Sequence, residues 1–247
     1  PKPQNPTQVK NIMQLCFLTI LFSVVVAAPA SDFVPELQGS GPGGTDKLDY
    51  TLYSGYVDLP DSSKSMHYMM VYSANNWRTD PLIVWFNGGP GCSSMLAFMQ
   101  ENGPYQMPSG SFNFTRNEWS WNREANMLYI EMPAGVGYSY CDPTHPNDDR
   151  CHFDDNTQAA DNVKTIVGWF EKFPEFKDHE LYIAGESYAG IYVPYLVNAL
   201  HTFNRKHVRD PTVYKPNLKG MLVGNGVTEY VEGGHYMPAQ IDLYYWH

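Results

Sequence analysis

The chain has 247 residues, of which 43% are hydrophobic, 15% aromatic and 17% charged. Disordered chains combine low hydrophobicity with high net charge, so this composition indicates a folded globular protein. The formal net charge of −10 disfavours nucleic acid and anionic membrane surfaces as partners. We predict no cofactor. We also predict no metal, because the acidic run within residues 148–155 lacks the spacing and the closing glutamate of a calcium loop.

Residues 1–30 are predicted to be a leader and a signal peptide. Residues 15–28 are apolar, uncharged and too few to span a bilayer comfortably, and the small-x-small sequence APA follows, with cleavage expected after Ala30. Translation is expected to start at Met13. The mature part, residues 31–247, would then enter the secretory pathway and reach a lysosome, a vacuole or the extracellular space. It would have no membrane attachment, and its oligomeric state is not indicated.

The cysteines become informative because export implies an oxidising compartment. Three of them remain after removal of the signal peptide, at Cys92, Cys141 and Cys151. Cys141 and Cys151 flank a short polar loop that a disulfide could close, and Cys92 then lacks a partner in this chain. The sequon that begins at Asn113 predicts a glycosylated surface loop.

The first predicted elements after the leader are strands. Two aromatic-rich runs with partial alternation, residues 48–59 and 65–74, predict antiparallel strands joined by a polar turn. Apolar runs further along predict strands that are covered on both faces. These runs are residues 81–86, 126–131, 180–185 and 218–226.

Two helices are predicted between these buried strands. Residues 156–173 carry apolar residues at helical spacing, with Asn156 or Thr157 as the N-cap, and residues 189–203 form the second helix. Buried strands that alternate with helices, after an antiparallel entry, predict an α/β fold with a mostly parallel, doubly wound sheet.

The sequence GESYAG places Ser187 between a predicted strand and a predicted helix. A nucleophile at such a bend needs small neighbours so that the backbone can turn sharply, and Gly185, Ala189 and Gly190 supply them. Ala189 breaks the strict Gly-x-Ser-x-Gly pattern but is still small. An ordinary strand-to-helix turn is the alternative, and the match of both flanking elements to the motif favours a nucleophile.

A glycine-rich segment, WFNGGPGCSS at residues 85–94, follows an earlier buried strand. Such a loop could cradle a phosphate at a helix N-terminus. It has neither the P-loop spacing nor the dinucleotide-binding spacing, so nucleotide binding is the weaker interpretation. In a hydrolase with a nucleophile at a strand-to-helix bend, this position supplies the second backbone N–H of an oxyanion hole.

Four segments together closely resemble the serine carboxypeptidase family. They are LIVWFNGGPGCSSMLAFMQENGP, WSWNREANMLYIEMPAGVGYSY, LYIAGESYAGIYVPYL and GMLVGNG, in the family's order and spacing. Small departures are Ala97, where glycine is common, and Met132. The resemblance covers nearly the whole mature part and implies an α/β-hydrolase fold. Residues 31–247 would be the N-terminal portion of that domain, truncated before the cap and the C-terminal strands.

The resemblance implies a role for individual residues at the reaction centre. Ser187 matches the acylating nucleophile, and the backbone N–H groups of Gly89 and Tyr188 match the oxyanion hole, which stabilises the charge of the tetrahedral intermediate. The resemblance also implies that Cys92 pairs with a cysteine far downstream.

A second implied group receives the terminal carboxylate of the substrate, and Asn87, Gly88, Glu101 and Glu186 match it. Two crowded glutamates raise one another's apparent pKa, and a protonated glutamate can donate to the substrate's anion. The expected activity is therefore release of C-terminal residues from peptides and proteins, through an acyl-enzyme and at acidic pH.

The acid and base of the triad are not identified in this chain. Hydrolases of this fold place them after the serine, in the order aspartate and then histidine. The candidates after Ser187 match neither motif of the family; they are Asp210, Asp242, His201, His207, His235 and His247. The resemblance places both groups far beyond residue 247. Because triad members act as a unit, we expect the 247-residue chain to be inactive.

Three alternatives remain. A carboxypeptidase-like acyltransferase would use the same nucleophile and oxyanion hole, although the pair of Glu101 and Glu186 favours a peptidase. A non-catalytic partner-binding protein is disfavoured because Ser187 and the glycine-rich loop are intact. The chain could also be an incomplete gene model without a function of its own.

Overall fold

The computed structural model describes residues 28–108, 110, 113–146 and 151–228, so nearly all of the predicted leader lies outside the described residues. The strands are β1 Phe33–Glu36, β2 Lys47–Asp58, β3 Lys64–Val71, β4 Leu82–Phe86, β5 Tyr105–Gln106, β6 Thr115–Arg116, β7 Asn126–Ile130, β8 Tyr140–Cys141, β9 Leu181–Glu186 and β10 Leu218–Gly224. The α-helices are α1 Asp155–Lys172 and α2 Ala189–Lys206. Short 3-10 helices span Ala30–Asp32, Pro42–Gly44, Trp121–Arg123 and Pro174–Phe176, and a π-helix spans Ala97–Glu101.

The main sheet has the strand order β1-β2-β3-β7-β4-β9-β10, with β8 paired to β3, and β5 and β6 form a separate ribbon. The β1–β2, β2–β3 and β3–β7 pairs are antiparallel. The β7–β4, β4–β9 and β9–β10 pairs are parallel. The predicted α/β fold with antiparallel entry strands is therefore confirmed.

Both faces of the central strands are covered, which explains their continuous apolar sequences. Every residue of β7 is buried. Both α-helices pack on one face through an aromatic-rich core that includes Trp169 and Phe173. The other face is covered by the segment around Phe98 and by Trp121. Because β7, β4 and β9 run parallel, their carboxyl ends lie at the same edge of the sheet. Parallel α/β folds place their functional sites at this edge.

The first helix begins earlier than predicted. Asp154, rather than Asn156 or Thr157, is its N-cap: the Asp154 carboxylate accepts hydrogen bonds from the backbone nitrogens of Asn156 and Thr157. Thr157, inside the helix, completes the cap: its hydroxyl accepts a hydrogen bond from the Asp154 nitrogen at 2.7 Å. This reciprocal capping box gives part of the acidic run a structural role.

Covalent and surface features can now be placed. The structure contains a disulfide between Cys141 and Cys151, and Cys92 is a free, exposed thiol. Asn113 is exposed, and its glycosylation stays a prediction. Within the described part of the chain, no helix is both long enough and apolar enough to cross a membrane.

Candidate active site

Ser187 lies at a sharp bend between β9 and α2. Its φ of 59° is in the left-handed region, which costs a residue other than glycine about 1–3 kcal/mol and persists only where the surroundings impose it. The Ser187 nitrogen donates to the Gly224 carbonyl at 3.0 Å, and its carbonyl accepts from Gly190 at 2.9 Å and from Val227 at 2.8 Å. The end of β10 and the start of α2 therefore hold the bend.

Small residues around the bend are required by packing. A Cβ at Gly185 would lie 2.5 Å from the Phe86 carbonyl oxygen of β4 and 2.6 Å from the Ala189 Cβ of α2. Real Cβ atoms essentially never approach other atoms so closely. Gly185 thus lets β9 pass between β4 and the first turn of α2.

The oxyanion loop, which we define as residues 87–94, follows β4 and lies against the same bend. Gly88 is buried, and a Cβ there would overlap the backbone nitrogen of Tyr188. Gly89 is exposed and has a φ of 109°, a conformation that side chains rarely permit. The structure brings this loop to the bend at Ser187, and donation by the Gly89 and Tyr188 amides to an oxyanion stays a prediction.

Asn87 joins two carboxyl groups beside the bend. It is 1% exposed, and its Nδ2 donates to Glu101 Oε1 at 3.1 Å and to Glu186 Oε1 at 3.2 Å. Its Oδ1 accepts from Trp85 Nε1 at 3.1 Å and from the Ala97 nitrogen at 3.3 Å. Both amide hydrogens and both oxygen lone pairs are therefore used, which fixes the orientation of the amide.

Glu101 reaches Asn87 from the end of the π-helix. The wide turn of this helix is closed by a bond from the Asn102 nitrogen to the Ala97 carbonyl at 3.0 Å. Gln106 and Asn117 side chains donate to the Glu101 carbonyl and hold its backbone. Burial raises the pKa of the Glu101 carboxyl, and the Glu186 carboxylate raises it further, while the bond from Asn87 lowers it.

The raised pKa of Glu101 predicts a pH-dependent effect of Glu101→Gln on stability. The folded state holds this proton more tightly than the unfolded state, so the wild type loses stability as the pH rises through the pKa of folded Glu101. Glutamine keeps an oxygen for the Asn87 amide but does not ionise. We expect the variant to be more stable than the wild type at pH 7 and similar to it below about pH 4.

Urea unfolding of both chains at the two pH values measures this difference. Glu124→Gln is the matched control, because Glu124 is an exposed carboxyl outside the site and should give no such pH-dependent gain. A Glu101→Gln variant that is less stable at pH 7 than at pH 4, relative to the wild type, would contradict the prediction.

Three of the six candidates for the triad acid and base lie in the described part of the chain. His201 is exposed on α2, His207 Nδ1 contacts the Phe203 carbonyl at 3.0 Å, and the Asp210 carboxylate accepts from Thr212. His235, Asp242 and His247 lie outside the described residues. Within residues 28–108, 110, 113–146 and 151–228, no cluster of three or more histidine, cysteine or acidic side chains could hold a metal.

Sequence reasoning missed a buried polar group next to the site. Glu131 follows β7 directly, and its carboxylate contacts His67 of β3 and Ser93 of the oxyanion loop. Ser94 Oγ of the same loop donates to the Ile130 carbonyl at 2.7 Å. One feature of the sequence could have revealed this group: Glu131 is an acidic residue directly after a buried strand. Asn87 occupies the same position after β4.

Comparisons with known proteins identify the family of the chain. The profile of the serine carboxypeptidase family matches residues 42–246. Serine carboxypeptidase-like 35 of Arabidopsis thaliana is 40% identical over 199 residues, which are 79% of this chain and 39% of the relative. The lysosomal protective protein of Mus musculus is 39% identical over 205 residues, which are 83% of this chain and 39% of the relative.

A solved structure agrees with the fold. Kex1(Δ)p, a prohormone-processing carboxypeptidase from Saccharomyces cerevisiae, superposes with a TM-score of 0.60 and 28% identity, over 72% of this chain and 39% of that chain. The chain thus spans less than half of the length of each of these proteins. Because the family profile matches most of the chain and these relatives are about 40% identical over four fifths of it, the chain belongs to the serine carboxypeptidase family.

Proposed function

We propose that the protein of which this chain forms a part is a serine carboxypeptidase that releases C-terminal residues from peptides at acidic pH. Ser187 is the nucleophile, and Gly89 and Tyr188 supply the oxyanion hole. The aspartate and histidine of the triad come from sequence outside residues 1–247. The chain by itself is inactive, because a serine without its base retains little nucleophilicity.

In the proposed reaction, Ser187 Oγ attacks the carbonyl carbon of the last peptide bond, and the histidine takes its proton. The backbone N–H groups of Gly89 and Tyr188 stabilise the negative charge on the carbonyl oxygen. The histidine then protonates the leaving nitrogen, the C–N bond breaks and the C-terminal residue departs. Water hydrolyses the ester on Ser187 and returns the enzyme.

The observation that carries the proposal is the pair of carboxyl groups on the Asn87 amide. Glu186 immediately precedes Ser187 in the chain, so a group that binds the substrate's terminus stands beside the nucleophile. Two ionised carboxylates would repel a third. Because burial and the neighbouring carboxylate raise the pKa of Glu101, this residue keeps its proton to a higher pH than a free glutamate does, and in that form it can donate a hydrogen bond to the substrate's carboxylate.

The same family supports a location in the secretory pathway, in a lysosome or vacuole or outside the cell. One relative is named a lysosomal protective protein and a structural neighbour a prohormone-processing carboxypeptidase. The disulfide between Cys141 and Cys151 agrees with an oxidising compartment. We further propose cleavage of the signal peptide after Ala30, glycosylation of the exposed Asn113 and a downstream partner for Cys92.

The complete protein should hydrolyse a blocked dipeptide with a free C-terminus and leave its C-terminal amide nearly untouched. The rate should fall as the pH rises and Glu101 loses its proton. An acyl-glucose donor with an alcohol acceptor tests the acyltransferase alternative in the same preparation. A peptidase rate that increases towards neutral pH, or acyl transfer without hydrolysis, would overturn the proposal.

The 247-residue chain offers a separate test of the missing triad partners. We expect a fluorescent organophosphate to leave Ser187 unlabelled in this chain and to label the complete protein. Labelling of the complete protein in the same experiment reports whether the probe is active. Stoichiometric labelling of the 247-residue chain at Ser187 would refute the proposal that the acid and base lie outside it.

A further inference from the structure

A second polar group at the carboxyl end of β7 is buried between the sheet and two loops, and it is centred on Glu131, which is 0% exposed. Glu131 Oε1 accepts a hydrogen bond from Ser93 Oγ. Its Oε2 accepts from His67 Nδ1 at 2.8 Å and from the Tyr138 nitrogen at 2.8 Å. Burying a carboxylate is costly unless it is paired and hydrogen-bonded, and the Glu131 carboxylate accepts hydrogen bonds from these three donors.

Glu131 is held from the side of the sheet by His67. His67 Nε2 contacts Ser54 Oγ at 2.9 Å, and its backbone nitrogen donates to Ser139 Oγ at 2.8 Å. Burial raises the pKa of the Glu131 carboxyl, but bonds from His67 and Ser93 outweigh burial and hold the pKa below its usual value. An ionised carboxylate only accepts hydrogen bonds, so His67 Nδ1 carries a hydrogen and points it at Glu131.

Two loops meet over this carboxylate. One is the oxyanion loop, which contributes Ser93, and the other is residues 132–139, which we call the β7 loop. A Cβ at Gly137 of the β7 loop would overlap the Glu131 carboxylate. A Cβ at Gly91 of the oxyanion loop would touch the Val136 side chain at 3.8 Å. The carboxylate is therefore the shared anchor of both loops.

We propose that Glu131 and His67 are positioning residues that hold the oxyanion loop at the distance from Ser187 that the reaction needs. They act through Ser93, which lies four residues after Gly89, and neither touches the substrate. This inference rests on the proposed function. Loss of one oxyanion-hole donor lowers kcat by about 10²–10³-fold, and a loosened donor should cost less, about 10–100-fold.

Two variants remove the anchor in different ways. Glu131→Gln keeps the size of the side chain but replaces one accepting oxygen by a donor, which then faces Ser93 or the Tyr138 nitrogen. Ser93→Ala removes the end in the loop, together with the bond that Ser93 Oγ accepts from the Met95 nitrogen, and leaves the contact between Glu131 and His67 in place. If Glu131→Gln does not fold, Ser93→Ala alone tests whether the anchor positions the oxyanion loop.

Asp80→Asn is the matched control. The Asp80 carboxylate also collects donors, from Ser73 Oγ at 2.6 Å and from the Asn76 nitrogen at 2.8 Å. It precedes β4, at the opposite end of that strand from the oxyanion loop. It therefore reports the general cost of disturbing a hydrogen-bonded carboxylate without disturbing the site.

In the complete protein, Glu131→Gln and Ser93→Ala should lower kcat for a blocked dipeptide by about 10–100-fold with KM within twofold of the wild type. In the 247-residue chain, hydrogen exchange should become faster in residues 88–94 and 133–139 for both variants. Asp80→Asn should change neither kcat nor exchange in these segments. A kcat within twofold of the Asp80→Asn value for both variants, or unchanged exchange in both loops, would overturn the inference.

The two measurements separate this inference from the proposed function. If the complete wild-type protein shows no peptidase activity, the proposed function fails, and the exchange data still decide whether Glu131 anchors the loops. If the wild type is active and the variants match it in kcat, the proposed function stands and the positioning role fails.

Discussion

Replacement of Ser187 by alanine should lower kcat of the complete protein by about 10⁶-fold, because the remaining members of a triad cannot act without the nucleophile. KM should change little, since the proposed site for the substrate's terminus, the carboxyl groups on Asn87, is left intact. The fold should be kept as well: the hydrogen bonds that hold the bend use the Ser187 backbone, and alanine retains them. Stopped assays on a blocked dipeptide, with thermal unfolding on the same samples, measure both effects.

Ser62→Ala is the control for this substitution, because Ser62 lies in the turn between β2 and β3, away from the bend. It should retain wild-type kcat. A Ser187→Ala protein with kcat within tenfold of the wild type would remove the assignment of the nucleophile, and with it the proposed acyl-enzyme.

Replacement of Trp169 by alanine should destabilise the 247-residue chain by about 3–5 kcal/mol, the usual cost of deleting a buried aromatic side chain. Trp169 is 0% exposed on α1. Its ring stacks on Phe173 at 4.6 Å between centroids and contacts the edge of Phe170 at 5.2 Å. The cavity would open in the aromatic core between α1 and the sheet.

The midpoint of urea unfolding measures this loss, with the slope expected to stay near the wild-type value. Trp119→Ala is the matched control, since Trp119 is 85% exposed and its loss should change the stability by less than about 0.5 kcal/mol. Equal midpoints for the two variants would show that the core is not organised around Trp169 as the structure has it.

Local patterns in the sequence predicted the elements that carry Ser187. Continuous apolar runs identified β4, β7 and β9 because strands covered on both faces leave no polar positions. The bend at Ser187 was predictable because its small neighbours are adjacent in the chain. The N-cap of α1 was predicted at Asn156 or Thr157 and lies at Asp154, since the choice among neighbouring polar residues depends on where the chain enters the helix.

Contacts between distant segments were not predictable in the same way. His67 and Glu131 are 64 residues apart, and they meet because Tyr68 pairs with Ile130 in the antiparallel β3–β7 ladder. A slip of one residue in this register would turn His67 to the other face of the sheet. The four hydrogen bonds of the Asn87 amide likewise depend on packing of the π-helix against β4. No short-range pattern in the sequence encodes this packing.

The crowding at Gly185 has a consequence for how such bends can vary among sequences. One wall of the crowded space is the Phe86 carbonyl of β4, which belongs to the main chain and is present whatever residue occupies position 86. A change of Ala189 to glycine would therefore not make room for a side chain at position 185. The two positions therefore differ in the side chains that they tolerate. Position 185, two residues before the serine, requires glycine, whereas position 189, two residues after it, also accepts alanine. A search pattern that demands glycine at both positions will overlook chains of this kind.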